Sequence, residues 1–205
     1  MERKAHWEDV YRTTAADELG WYQTHPTMSL RLIESTSVQK TGNLIDVGGG
    51  DSTLVDHLLH QGFEHVTVLD ISSSALEKAK ARLGDRASLV TWIEGDVTGF
   101  RSSKTYDLWH DRAVFHFLTD EEDREKYREA MNMALGAQGQ VIIATFAYEA
   151  PPTCSGLPVV RYSPEFLGLA IGNDFDLVES FEELHHTPGG TKQPFIYCRF
   201  MRRKL

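Results

Sequence analysis

From Leu44 to Ser52 the chain reads Leu-Ile-Asp-Val-Gly-Gly-Gly-Asp-Ser. Gly48 and Gly50 allow the backbone to pass close to a ligand, and a helix starting just after them would offer unpaired N–H groups. Asp70 closes the next apolar run, twenty residues after Gly50. A carboxylate at that place can accept both hydroxyls of a ribose. The pattern points to a bound nucleoside. A dinucleotide site needs glycine or alanine three places after Gly50, where Thr53 stands, and no Gly-Lys-Ser/Thr phosphate loop occurs.

Asp46 lies directly before the glycines. Its charge would repel a pyrophosphate and tolerate a cation. S-adenosyl-L-methionine carries a sulfonium, an ammonium and no phosphate, so the charges favour it as the cofactor. Downstream, His110, Asp111, Arg112 and His116 cluster at the end of a fourth apolar run. Asp111 is expected to line the methionine part of the cofactor, the alternative being that Asp111 and Arg112 pair and orient the loop. His110 is expected to border the substrate. His116 is the expected general base, since imidazole titrates nearest neutrality; a buried hydrogen-bonding role is its alternative. Phe146 ends the fifth apolar run, and Arg161 follows in a loop. Both are expected on the acceptor side, with Arg161 either binding an anionic group or making a surface ion pair. Trp7, Tyr11, Trp21 and Tyr22 crowd residues 1–26, where aromatic faces can meet a sulfonium.

These groups need a frame that brings them together. Asn43–Val47, His65–Asp70, Leu89–Ile93, Tyr106–Trp109 and Gln140–Phe146 are short apolar runs of strand length. Between them, Ser52–Gln61, a segment capped at Ser72 or Ser73, and Asp120–Leu135 carry helical spacing. Thr119 is the expected cap of the last of these and Gly136 its stop. Ser163-Pro164 opens another helix. Phe175–Phe181 and Phe195–Phe200 read as a terminal pair of strands, with His185-His186-Thr-Pro-Gly-Gly in the turn between them. Alternating strands and helices predict a mostly parallel sheet covered on both faces, with one antiparallel pair at its edge.

In this frame Asp46-Val-Gly-Gly-Gly50 resembles the first motif of class I S-adenosylmethionine-dependent methyltransferases, with Ser52 at the third glycine. Asp70, followed by Ile71, resembles their ribose-binding position. Glu94-Gly-Asp96-Val97 resembles the adenine-contacting motif, and Tyr106-Asp-Leu-Trp-His-Asp111-Arg with Phe115-His116-Phe-Leu the fourth-strand motif. The Asp/Asn-Pro-Pro-Tyr/Phe motif of many amino-group methyltransferases is absent. The aromatic N-terminus is similar to a subgroup holding elongation-factor lysine methyltransferases and bacterial relatives. The resemblance implies a Rossmann-like α/β fold with a seven-stranded sheet of order 3-2-1-4-5-7-6, strand 7 antiparallel. It implies one methyltransferase domain: residues 1–26 an arm or lid, 43–147 the cofactor-binding core, 148–205 the substrate side. Trp7, Tyr11, Trp21, Asp46, Gly48, Gly50, Asp70, Ile71, Asp96, Val97 and Asp111 would hold the cofactor. The implied activity is methyl transfer to a small molecule or a protein side chain. A non-catalytic cofactor-binding module is the alternative; a nicotinamide oxidoreductase is a third reading, against which Thr53 argues.

Composition sets the outer bounds. The 205 residues carry 21 Lys and Arg against 30 Asp and Glu, a net charge of −9. That balance disfavours nucleic acid as a partner, because phosphates call for cationic surface. With 41% hydrophobic and 25% charged residues the chain is of ordinary globular type. Cys154 and Cys198 stand apart from each other and from metal-ligand spacing, which predicts no metal site and a reducing, cytoplasmic setting. The start Met1-Glu2-Arg3-Lys4 lacks an apolar signal core, and the longest apolar run, Val141–Ala147, is too short for a membrane span.

Overall fold

Odd and even residues of each strand face opposite ways, and this separates two apolar layers. Ile45, Val47, Trp109, Val141 and Ile143 point to one side. Leu44, Val66, Val68, Leu108, Ile142 and Ala144 point to the other. The computed structural model describes residues 3–203; Met1, Glu2, Lys204 and Leu205 lie outside them.

The seven main strands are β1 (Asn43–Val47), β2 (His65–Asp70), β3 (Val90–Glu94), β4 (Tyr106–Arg112), β5 (Leu135–Phe146), β8 (Phe175–His186) and β9 (Lys192–Arg202). The intervening β6 (Thr153–Cys154) and β7 (Leu157–Pro158) form a separate short ribbon. The sheet runs β3-β2-β1-β4-β5-β9-β8. Counted within the sheet alone this is 3-2-1-4-5-7-6, and β9 is antiparallel to both neighbours, as the resemblance implies. Helices α2 (Thr27–Ser35), α3 (Leu54–His60) and α4 (Ser73–Leu83) cover the face of Leu44. Helices α5 (Glu121–Ala134) and α6 (Pro164–Ile171) cover the face of Ile45. An N-terminal helix, α1 (Arg3–Thr13), lies against α4.

Local chemistry sets the helix starts. Ser72 Oγ accepts from Ala75 N at 3.2 Å, and Ser163 Oγ accepts from Phe166 N at 3.2 Å with Pro164 in the first turn, both as N-caps do. Three boundaries depart from the sequence reading. Asp120, not Thr119, occupies the N-cap position of α5, and makes no side-chain cap bond. Gly136 does not end that helix in a turn: the chain passes straight into β5 at Leu135, which pairs with Tyr106. The terminal strands also extend through the expected turn, since His185 and His186 pair with Gln193 and Lys192. His185 is buried, and its Nε2 donates to the Gly20 carbonyl at 2.9 Å.

Candidate active site

The chain order reverses between β1 and β4, and ligands of open α/β sheets bind where the strands end at such a reversal. Gly48 sits there with φ 66° and Gly50 with φ 43°, a left-handed backbone that glycine adopts freely. Space imposes a second demand. A Cβ on Gly48 would lie 2.0 Å from Val114 Cγ2, and one on Gly50 would lie 2.7 Å from the Tyr11 hydroxyl and 2.9 Å from Asp70 Oδ2.

Above this turn lies a cleft with two contiguous halves that share Tyr11, Trp21, Gly48 and Arg112. The larger, of about 750 Å³, is walled by Asp70, Ile71, Asp96, Val97, Trp7 and Phe117 among others. The smaller, of about 530 Å³, is walled by Asp46, Gly49, Asp51, Ser29 and His110 among others. Asp70 is buried at the end of β2, where the amides of Ser72 and Gly50 donate to it. Burial, reinforced by the charge of Asp46 and opposed by those amides, raises its carboxyl to about 7. The Asp96 carboxylate is engaged: Oδ1 accepts from Thr98 N at 2.9 Å, and Oδ2 from Arg3 at 2.9 Å.

β4 presents its terminal residues to alternate faces. His110 lies opposite Asp46 in the sheet register. Its Nδ1 is 2.7 Å from Asp46 Oδ1 and its Nε2 is 2.9 Å from Ser29 Oγ. A carboxylate only accepts, so Nδ1 carries a proton and donates to Asp46. Asp111 faces the opposite way, toward α5. It accepts from Tyr127 OH at 2.7 Å, Val114 N at 2.9 Å and Phe115 N at 3.1 Å, and burial raises its carboxyl to about 6. It therefore lies outside the cleft wall. Arg112 returns to the His110 side, so the two neighbours do not pair. Its Nε donates to Tyr197 OH at 2.7 Å and its Nη1 to the Trp21 carbonyl at 2.9 Å.

His116, Phe146 and Arg161, expected at the reacting or acceptor side, do not line the cleft. His116 is fully buried, edge-on to Phe117 and Phe146. The Phe146 amide donates to its Nδ1 at 3.2 Å, which leaves the ring proton on Nε2. Burial, assisted by the Arg112 charge, lowers the imidazole to about 3, so it stays neutral. Phe146 is wholly buried at the end of β5, packed on His116 and Phe195. Arg161 donates to the carbonyls of Tyr148 and Ala150 at 2.9 and 3.2 Å, so it staples its own loop.

The N-terminal arm forms the outer wall. Trp7 meets Trp21 and Phe117 edge to face at 5.7 and 5.0 Å, and Tyr11 meets Trp21 at 5.9 Å. Glu8 anchors the arm at the start of α4, accepting from Ser73 N at 2.5 Å, Ser73 Oγ at 2.9 Å and Ser74 N at 3.2 Å. Burial pushes the Glu8 carboxyl up, but these bonds prevail and lower it to about 2. Arg3 also pairs with Asp123, and Lys4 with Glu94. Arg3, Glu8, Ser29 and Phe117 are site residues that sequence reasoning missed; of these only Phe117, inside the fourth-strand motif, carried a signal.

Comparison with known proteins agrees with this geometry. A model of the methyltransferase domain matches residues 45–141. The chain is 28% identical over 159 residues to malonyl-[acyl-carrier protein] O-methyltransferase 1 of Ilyobacter polytropus, covering 75% of this chain and 58% of that protein. It is 23% identical over 120 residues to the eEF1A lysine and N-terminal methyltransferase of Mus musculus, covering 58% of this chain and 17% of that protein. The chain thus spans under two thirds of either relative. The fold superposes on N-methyltransferase NodS of Bradyrhizobium japonicum in complex with S-adenosyl-L-homocysteine, with a TM-score of 0.75, 19% identity, and coverage of 96% and 98% of the two chains. The glycine turn, the acid twenty residues beyond it and the swapped order of the last two strands are similar to those of the methyltransferase-domain family, whose model matches just under half of the chain.

Proposed function

We propose that the chain transfers a methyl group from S-adenosyl-L-methionine to a small molecule or a protein side chain. The carrying observation is the juxtaposition of Asp70 with Gly50 beneath the aromatic arm. In this reading the Asp70 carboxylate receives the ribose hydroxyls, and Ile71 and Val97 flank the adenine. Asp46, held by His110, faces the cofactor's ammonium in the smaller half. The residues suit the cofactor: Asp70 and Asp46 offer acceptors to its ribose and its ammonium, and the aromatic wall offers faces to its sulfonium. Bound cofactor supplies an electrophilic methyl on a sulfonium whose leaving group is a neutral thioether.

The remaining work is positional. Trp7, Tyr11 and Trp21 close the cleft from above and exclude water, and their faces suit a sulfonium. Holding donor and acceptor in line accounts for much of the rate gain. His116 is assigned no proton transfer here: it is neutral, buried and no part of the cleft lining. It braces Phe146 and Phe117 as a positioning residue.

Calorimetry with S-adenosylhomocysteine tests the assignment. Asp70→Ala loses charge-assisted bonds of roughly 1.5–3 kcal/mol, about one to two decades in affinity. In the wild type, affinity should rise as pH passes through about 7, because the ionised carboxylate is the acceptor of the ribose bonds. A folded Asp70→Ala protein with unchanged affinity would remove the site. Tight binding with no labelled methyl delivered to any fraction of cell extract would favour the non-catalytic alternative.

A further inference from the structure

Arg112 is a cation in the inner wall of the cleft, bordering both halves. Its two hydrogen-bond partners are a tyrosine hydroxyl and a backbone carbonyl, both neutral. Glu183 is linked to it only through Tyr197, whose hydroxyl donates to Glu183 at 2.8 Å. The guanidinium lies 4.5 Å above the Phe195 ring. Its Nη2 is buried and has no partner among the described residues. Buried polar groups are nearly always paired, and a sheltered charge left uncompensated is costly. Held over Phe195 and fixed at Nε and Nη1, the fork has little freedom to seek a partner elsewhere.

Three features narrow the missing partner. One guanidinium balances one negative charge. Its planar N–H donors match a planar two-oxygen group. The surroundings contributed by Trp21, Phe195 and Cys154 are largely apolar, which suits a weakly hydrated monoanion over a phosphate dianion. Position narrows it again. Apart from Trp21, whose carbonyl accepts from Nη1, the residues that touch Arg112 or feel its charge, namely Tyr197, Phe195, His116, Cys154 and His185, come from the chain beyond β4. The proposed ribose and adenine contacts all come from residues before it.

Resting on the methyltransferase reading above, we propose that Arg112 is a carboxylate-binding subsite and that the carboxylate it takes is the acceptor's. The cofactor carries a carboxylate of its own, so the test must separate the two sources. The full chain is first titrated with S-adenosylhomocysteine and with 5′-methylthioadenosine, which lacks the amino-acid part. The S-adenosylhomocysteine-loaded protein is then titrated with hexanoate, hexanamide and methyl hexanoate. Arg112→Gln and Arg112→Lys are carried through the same series, with circular dichroism confirming that each is folded.

The expected result is that hexanoate binds the wild type and the two neutral analogues do not. Arg112→Gln weakens hexanoate at least tenfold, Arg112→Lys recovers part of the loss, and any change in S-adenosylhomocysteine affinity through the loosened Trp21 wall is matched by methylthioadenosine in both. Equal hexanoate affinity in wild type and Arg112→Gln overturns the proposal. So does a loss of S-adenosylhomocysteine affinity in Arg112→Gln with methylthioadenosine unchanged, which gives the arginine to the cofactor's carboxylate. So, too, does a wild type whose loaded form takes up no hexanoate. Failure of the wild type to bind either adenosine ligand is visible before any carboxylate is added, and it strikes the cofactor reading on which the proposal stands.

Discussion

His116 shows how burial decides what a residue type can do. The imidazole that would titrate near neutrality in water is held neutral down to about 3 by desolvation and the nearby Arg112 charge. Unfolded, it takes a proton below about 6.5; folded, it does not. Acid therefore favours the unfolded chain through this group, and its contribution is lost as pH falls from about 6.5 toward 3. His116→Asn keeps an acceptor for the Phe146 amide and does not titrate. The stability of wild type relative to this variant should decline on acidification, by up to about 1.4 kcal/mol per pH unit, as urea titrations at pH 7, 6 and 5 would measure. The pH dependence of turnover between 6 and 7 should be the same in both proteins. A flatter profile in the variant would restore the proton role that its residue type suggests.

Among elements, the arm carries the sharpest expectation. The Glu8 carboxylate adds to the Ser72 cap at the start of α4, where free N–H groups and the helix dipole favour a negative charge. Its carboxyl is lowered to about 2, so the anchor is complete above about pH 4.5 and fails only as pH falls toward 2. Glu8→Ala should cost about 1–2 kcal/mol of arm docking. The arm would then be cut faster by trypsin, and S-adenosylhomocysteine would bind more weakly, with the sheet intact by circular dichroism. Equal protease resistance would deny the anchor its part. The strands and most helices were legible because their apolar periods and caps are local. Period-two alternation along β4 also told which residues share a face, yet reading His110, Asp111 and Arg112 as one cluster ignored it. The Glu8 anchor and the Ser29–His110–Asp46 chain were not legible. Their partners are 65, 81 and 64 residues apart, joined only by tertiary packing. The extension of β8 through His185 and His186 came from pairing with β9, which overrode turn chemistry that was sound on local grounds.

For the molecule as a whole, a ligand that binds only the folded chain raises its stability by mass action. At a hundredfold excess over Kd this is about 2.7 kcal/mol, or roughly 5–10 °C in Tm for a chain of this size. Thermal melts with S-adenosylhomocysteine should show that rise, and NAD should produce none. The arm has a bearing on such exchanges. It lies across the larger half of the cleft, and half-exposed ion pairs from Arg3 and Lys4 to Asp96, Asp123 and Glu94 help to hold it there. Pairs of this kind weaken as the Debye length shrinks from about 10 Å at 0.1 M salt to about 3 Å at 1 M. On the proposed reading, a spent nucleoside leaves past this wall. Ionic strength should then act as a throttle: added salt is expected to hasten departure, shorten the residence time of the used cofactor and raise the concentration of fresh cofactor needed for saturation, as release of S-adenosylhomocysteine followed at low and high salt would measure.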